Sequence, residues 1–437
     1  MAEILPFRGV HYNRTRVNNL EAVICPPYDI ISPQIQQGLY QQSSYNFIRL
    51  EHGRELPQDS TNDNKYTRAS STLHQWLEQG ILSVDKKPAI YFHHHYFIHQ
   101  RQKYRRCGIT VIIRLEEWDK MVVCPHEGTL TQPKGDRLNL LWALQMNTSP
   151  ILALFEDRKA LVSSLITESG KSKPVLDFNT TSGEKHTVWA ITQTEIISQI
   201  RNHLANQPVY IADGHHRYES ALTYRREMHT CSPSDSDDKP YDFVMMTLVD
   251  FLDPGLVVLP AHRLVRGVSE SNLNDLVAKL PVFFEVEELQ LNPSNLPQQV
   301  DNILNEKDKQ IRLILFDSSK ERLFVLRLHD QTVTSQMMPY FHSELYKSLD
   351  VSIVDHVIIE KLLGLGSNVE ETLLTYNHDI LDTINMVLGG EYQLAFLLSP
   401  VKAKTIKDIA DVGDRMPRKS TYFFPKLPSG LICHRLA

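Results

Sequence analysis

Cysteine is sparse and unpatterned in this chain of 437 residues: Cys25, Cys107, Cys124, Cys231 and Cys433 lie far apart and form no CxxC pair. That excludes a zinc ribbon and a disulfide scaffold and fits a reducing compartment. No uncharged apolar run approaches the roughly 20 residues that cross a bilayer. The first residues show no charged-then-apolar leader, so the expectation is a cytoplasmic protein with no membrane partner. No internal repeat or low-complexity tract is present. No GxxxxGK[ST], GxGxxG or GxSxG motif stands where its fold would need it. Excess positive charge is also absent: a net charge of −6 argues against a general nucleic-acid binder and leaves only a local basic patch open.

What is present is an ordinary globular composition, 42% hydrophobic and 22% charged, long enough for two or three domains with a sizeable core. Leu20–Ile24 and Asn46–Leu50 read as short strands, the first ended by Cys25-Pro26-Pro27-Tyr28-Asp29 because proline cannot extend a central ladder. A helix is predicted from Lys65 to Gln79, stopped by Gly80. Ala89–His99 and Arg106–Leu115 form a predicted hairpin about a basic turn, and Arg137–Met146 has helical periodicity. Val209–Ala212 reads as a buried strand and His215–His229 as its following helix; the polar stretch from Cys231 to Pro240 reads as an exposed loop. Phe243–Asp250 and Leu256–Pro260 read as strands. Beyond Arg266 a second module begins, with a strand pair at Ile311–Phe316 and Leu323–Leu328 around Asp317-Ser318-Ser319-Lys320, a helix at Ile353–Leu363 and a strand at Gln393–Leu398.

The richest chemistry lies at Asp213-Gly214-His215-His216-Arg217, where an apolar run meets a polar turn that opens into a helix. A helix N-terminus carries partial positive charge and unsatisfied N–H donors, so it suits a phosphate. Gly214 permits close approach, Asp213 can cap the helix or hold a histidine tautomer, and the planar fork of Arg217 can grip phosphate. The competing reading is an ordinary capped strand-to-helix connection. A second dense stretch, Pro125-His126-Glu127-Gly128-Thr129-Leu130-Thr131-Gln132-Pro133-Lys134-Gly135-Asp136-Arg137, reads as a polar loop feeding an apolar helix. There Lys134 and Arg137 suit phosphate, Glu127 suits a base or Mg²⁺ ligand, and Asp136 is alternatively a simple helix cap. A third stretch from Gly413 to Lys426 mixes Arg415, Arg418, Lys419 and Lys426 with aromatics, as a phosphate and base site would, or as a docked C-terminal loop would. Asp29 sits after a strand, where α/β active-site residues gather, the competing reading being a simple end to the strand. His262-Arg263 is a weaker phosphate candidate. On a strand His93, His95 and His99 share one face and His94 the other; with no acidic or cysteine partner nearby, an exposed hairpin face is expected and no metal residue is assigned.

Pro6-Phe7-Arg8-Gly9, Pro26-Pro27-Tyr28-Asp29, Pro125-His126-Glu127, Pro133-Lys134, Asp136-Arg137-Leu138, Asp213-Gly214-His215-His216-Arg217-Tyr218 and Asp414-Arg415-Met416-Pro417 through Lys426 together resemble, over nearly the full length, the bacterial and archaeal family known as domain of unknown function 1015. That family in turn is similar to the ParB/sulfiredoxin superfamily, which binds nucleotides through a Gly-x-x-Arg turn at a helix start, here Gly214-His215-His216-Arg217. ParB proteins use the turn for CTP, sulfiredoxin uses it with ATP, and an ADP-dependent free-serine kinase shares it. His215 stands where sulfiredoxin has a cysteine, which removes that route to sulfinic-acid reduction. ParB pairs two arginines where this chain has His216-Arg217, and no helix-turn-helix follows.

The resemblance implies an α+β protein with a ParB/sulfiredoxin-like core in residues 1–265, interrupted by an insertion at about 52–200, and a C-terminal α+β module in residues 266–437. It also implies a phosphotransferase acting on a small hydroxylated, serine-like metabolite, with a nucleotide (ATP, ADP or CTP) and Mg²⁺ as cofactors. A nucleotide-dependent sensor and a nucleotide hydrolase are the alternatives. In that scheme Asp213, Gly214, His215, His216 and Arg217 hold phosphates, Lys134 or Arg137 neutralises the transferring group, and the C-terminal module lends Arg415, Lys419 and Lys426. Asp29, Glu127 and His216 are the catalytic candidates, with Glu51 a further candidate base.

Overall fold

The computed structural model describes residues 2–128, 131–169, 172–231, 238–289, 296–306, 310–318, 322–366 and 372–436, and of residues 131–133 and 169 the backbone only. Thr129-Leu130, residues 232–237 of the polar loop and Ser319-Lys320 of the hairpin turn lie outside the described residues. The fold is α+β and divides into two compact units, each discontinuous in sequence. One comprises Met1–Pro125, Thr129–Val257 and Pro425–Ala437; the other comprises His126–Gly128 and Val258–Phe424. Among the described residues no helix is long and apolar enough to cross a membrane.

The first unit is built on a nine-stranded mixed sheet. Its strands are β1 (Ile90–His99), β2 (Gln102–Arg114), β3 (Val123–Cys124), β4 (Ile151–Phe155), β5 (Leu176–Asn179), β6 (Lys185–Ile191), β7 (Val209–Asp213) and β8 (Phe243–Asp250), in the order β3-β7-β4-β8-β2-β1-β6-β5, with Ile4–Leu5 added against β2. β7 runs parallel to β3 and β4 parallel to β8; the other pairings are antiparallel. Both faces are covered, which is why the central strands read as nearly unbroken apolar runs. Ile90, Phe92, Ile109, Val111 and Ile113 enter one core, and Tyr91, Ile112, Phe243 and Met245 enter the other. The predicted hairpin forms, with Gln100 and Arg101 at positive φ making its turn.

Helix α1 (Pro33–Gln42) starts on Ser32, and α2 (Lys65–Glu78) starts on an Asn64–Thr67 capping box and ends before Gly80 at φ +68°. Ala69, Leu73 and Trp76 of α2 fall on one face and are buried. Two expected strands are not formed. Leu20–Ile24 turns instead, because Val23 and Ile24 both bond back to the Leu20 carbonyl. Asn46–Leu50 enters a short helix, Ile48–Glu51, with the Asn46 amide oxygen accepting from Ile48 N (3.0 Å). Local side-chain and turn bonds there outcompete the ladder that apolar content suggested. Helix α3 (Thr131–Leu144) begins earlier than its periodicity implied, so Lys134 and Asp136 are helical and Asp136 does not cap it.

The second unit holds a six-stranded antiparallel sheet and its own core, which includes Leu264, Ile314, Phe316, Val325 and Leu397. The predicted strands at 311–316, 323–328 and 393–398 are present as Arg312–Asp317, Arg322–Leu328 and Leu394–Leu397. The predicted helix at 353–363 is a π-helix, Ile353–Leu362, entered from Asp350–Ser352. Its buried anchor is Arg263, whose guanidinium pairs with Asp355 (3.0 and 3.2 Å).

In the first unit Gly255 crosses β2 so closely that a Cβ there would lie 2.4 Å from the Arg105 carbonyl carbon and the Arg106 nitrogen. Backbone cannot yield as a side-chain tip can, so Gly255→Ala is expected to cost about 2 kcal/mol or more, read as a lowered midpoint in chemical denaturation.

Candidate functional site

The site begins where β7 ends. A register shift between Ile211 and Asp213 against β4 kinks the strand and re-aims Asp213. Gly214 follows at φ +100°, a conformation that favours glycine, and helix α4 (His215–Cys231) starts at once, with Tyr218 N bonding back to the Gly214 carbonyl (3.1 Å). His215 is buried and His216 half-buried in the first turn.

Asp213 is the hub. Arg217 Nη2 donates to its Oδ2 (2.7 Å), and Lys426 Nζ donates to its Oδ1. The same ammonium lies 3.7 Å from Asp29 Oδ2. Burial raises the Asp213 carboxyl, but the charges of Lys426 and Arg217 outweigh it and hold the group far below the usual carboxylate range. Lys426 reaches this corner because the C-terminal segment is tied back into the first unit. Ser429 bonds with Cys25 and Cys433 with Val10 through their backbones, and His434–Arg435 pairs with Met146–Asn147.

Arg217 is committed to its own protein. Its Nη1 donates to Ser149 Oγ (3.1 Å) and to the Pro150 carbonyl, and its guanidinium folds back so that a Cβ on Gly214 would lie 2.9–3.0 Å from it. Its Nε is buried without a partner. Next to it a cavity of about 30 Å³, room for one or two waters, is lined by Arg137, Asn147, Thr148, Ser149 and Arg217 among others.

Arg137 forms a second cluster. It lies 4.2 Å above the Tyr28 ring, donates to the Glu51 carbonyl (3.1 Å) and carboxylate (3.4 Å), and pairs with Asp136. Glu51 is fully buried, and its second carboxylate oxygen has no partner. Burial pushes the Tyr28 hydroxyl up to about 12. Lys134 pairs with Glu219, joining the first turn of α3 to α4.

Of the expected site residues, Asp29, Asp213, Gly214, Arg217 and Lys426 come together, and Arg137 shares the small cavity with Arg217. Glu127, Arg415 and Lys419 belong to the second unit. There Glu127 Oε1 accepts from Ser420 N (3.1 Å), Thr421 N (2.9 Å) and Thr421 Oγ1 (2.7 Å), so one carboxylate oxygen is spent on holding the C-terminal loop. Lys419 is exposed at φ +57° and gives its carbonyl to Arg263 (3.1 Å). His262 is buried in the second unit, its Nδ1 accepting from Leu398 N (3.1 Å). Sequence reasoning overlooked Ser149 and Pro150 entirely: nothing local marks a Ser-Pro pair as the acceptor of a distant guanidinium.

The histidine hairpin face is a correction. His93, His94 and His95 are buried, not exposed: His93 and His95 stack on His186 of β6, His94 packs on Trp189, and Leu427, Pro428, Leu431 and Ile432 lie beside His93. The pairing of β6 with β1 also brings the acidic neighbour missing from the local sequence, Glu184.

Asp213 ties two cations, so Asp213→Asn is expected to destabilise the protein by about 3 kcal/mol at pH 7. A carboxyl whose folded pKa is depressed contributes fully above its unfolded value near 4 and loses that contribution as pH falls toward the folded value. Denaturation of wild type and variant at pH 7, 4 and 3 should show the gap closing with acid.

None of the curated proteins compared matches the chain. Among solved structures, a conserved hypothetical protein from Pyrococcus furiosus is 14% identical, with 73% of this chain and 93% of that one covered, at a TM-score of 0.35. A free serine kinase in complex with AMP is 13% identical, with 72% and 86% covered, at 0.36. SbnI with a C-terminal truncation, from Staphylococcus aureus, is 9% identical, with 72% and 84% covered, at 0.35. At these TM-scores none of the likenesses decides an activity. Residues 4–352 match the family described as "Protein of unknown function (DUF1015)", and the chain belongs to that family.

Proposed function

We propose that the first unit binds nucleotide phosphates at the start of α4 and transfers a phosphoryl group to a small hydroxylated metabolite. The observation that carries this reading is the convergence of Asp29, Asp213, Arg217 and Lys426 on the glycine that opens the helix. Two cations held by carboxylates beside oriented backbone donors form a preorganised polar corner, the kind of environment phosphoryl transfer needs. Phosphate oxygens take over the donors that Asp213 now occupies. The corner's formal charges are balanced, two against two, so Asp29 or Asp213 would hold Mg²⁺, which would supply the further positive charge that a polyphosphate requires. Asp29, the more exposed carboxylate, takes the proton of the acceptor hydroxyl, and His216 stands one residue into the helix to orient it. Lys134 and Arg137 act at one remove, by fixing α3 against α4 and by lining the adjoining cavity.

A non-catalytic nucleotide sensor is the second reading. It is favoured by the prior commitment of Arg217 to Ser149 and Pro150, since a nucleotide that pulls the guanidinium away also releases those segments.

Isothermal titration with ATP, ADP and CTP, with and without Mg²⁺, tests the common core. At least one should bind, and Lys426→Ala, checked for folding by circular dichroism, should weaken it at least tenfold. Absence of binding by all three ends both readings. Phosphorus NMR of the bound nucleotide with a pool of hydroxylated metabolites separates them: a new phosphomonoester signal supports the transferase, free inorganic phosphate alone supports hydrolysis, and an unchanged nucleotide leaves the sensor.

A further inference from the structure

At the other side of the first unit's sheet, the antiparallel register of β1 and β6 sets His95 opposite His186 and His93 opposite Val188. The β5–β6 turn, closed by Thr180 N to Glu184 O (2.8 Å) and Gly183 N to Thr180 O (3.0 Å), delivers Glu184 to the same place. Glu184 Oε2 lies 2.6 Å from His95 Nε2 and 3.6 Å from His186 Nε2. The two imidazoles are 1% and 2% exposed, and their ring centroids are 4.2 Å apart. Glu184 is the partly exposed member, its side chain 28% accessible, so solvent meets the group from its side.

We propose that His95, Glu184 and His186 form a binding site for a divalent late first-row metal ion, zinc or a close relative, with solvent completing the coordination. Each residue offers one ligand atom, and the three lie within 4.8 Å of one another. Tetrahedral zinc, with bonds of about 2.0–2.1 Å, holds its donors roughly 3.3 Å apart. The carboxylate's distances to the two imidazoles, 2.6 and 3.6 Å, bracket that value. Two histidines and a glutamate with an open position are also the donor set of zinc sites that keep a water.

The protonation states match. Burial lowers His95 to about 3, so its imidazole is neutral in neutral solution. Burial opposes ionisation of Glu184, but hydrogen bonds from His186 and His95 prevail and bring it down to about 2. Behind His186 the second shell is right: its Nδ1 lies 3.0 Å from His93 Nε2, which can accept the Nδ1 proton that a metal-bound imidazole must carry.

Behind His95 the polarity is reversed. Arg106 Nη2 donates both to His95 Nδ1 (3.0 Å) and to the Pro425 carbonyl (2.8 Å). A donor at Nδ1 keeps the proton on Nε2, aimed at Glu184, so metal binding requires that proton to move to Nδ1 and Arg106 to release His95. The buried guanidinium also repels a dication. Metal binding here is therefore coupled to a tautomer change of His95 and weaker than at a site with an acceptor behind each histidine. Arg106→Gln offers an amide oxygen to Nδ1–H, removes the repelling charge, and should tighten binding. A cluster that serves only as a hydrogen-bond network has no reason to respond in that way.

The test is competition for zinc between the full-length protein, first stripped with chelator, and a chromophoric zinc indicator at pH 7.5, with thermal melting in parallel. The proposal expects one equivalent bound and a raised melting temperature with zinc. Glu184→Gln, partly exposed and expected to fold, should lose at least tenfold in affinity, and Arg106→Gln should gain as much where circular dichroism shows it folded. A folded wild type that takes no stoichiometric zinc overturns the proposal, and so does equal affinity in wild type and Glu184→Gln, which would mark an ion bound elsewhere.

Discussion

The ionised carboxylate of Asp213 is the constraint from which the first unit's functional corner follows. It ends a central strand, precedes the glycine that opens a helix, and holds one cation from that helix and another from the C-terminal segment. A single negative charge thereby ties the strand–helix turn to the C-terminal segment, 213 positions further along the chain. Without it, Arg217 and Lys426 would face each other as largely buried like charges, and Asp29 and the backbone pairing of residues 429–435 would be left to position the ammonium. The arrangement is rigid because each cation has a second acceptor: Ser149 and Pro150 for Arg217, Asp29 for Lys426.

The same logic runs through the neighbouring clusters. Arg137 is buried with Glu51 and Asp136, and Arg106 with His95 and the Pro425 carbonyl. In each case a buried charge is tolerated because opposite charges or hydrogen-bond acceptors meet it, the general condition for removing an ion from water. The difference between the clusters lies in what remains unmet. Glu51 keeps one orphan oxygen and Arg217 an orphan Nε, whereas the three histidines are satisfied in one another's company.

Much of the fold was legible along the chain. The helix at 65–78, the hairpin at 90–114, the strand and helix around Gly214 and the strands at 243–250, 312–317, 322–328 and 394–397 all announce themselves through periodicity, caps and glycines. The misreadings fall in short segments, 20–24 and 46–50, where a few apolar residues fit a strand as well as a turn and one asparagine side chain decides. In the site, Asp213, Gly214 and Arg217 were visible because they are adjacent in sequence. Their partners were visible only as residue types: Lys426 and Asp29 looked no different from Arg415 and Glu127, which the fold assigns to the other unit. The histidines were placed on the correct strand but on the wrong kind of surface, since exposure of a strand face depends on which side chains from elsewhere in the chain pack over it.

Sequence alone determined many of the individual helices and strands, the strand–glycine–helix turn and the set of charged side chains available, because these rest on local conformational preference and on patterns a few residues long. Tertiary structure alone decided which charges distant in sequence meet. Ion pairs and ligand sets form between segments that register and chain return bring together, as β6 brings Glu184 and His186 to His95, and as the last thirteen residues bring Lys426 to Asp213. Coulomb attraction and hydrogen bonding act over a few ångströms in space and carry no trace in the spacing of residues along the chain.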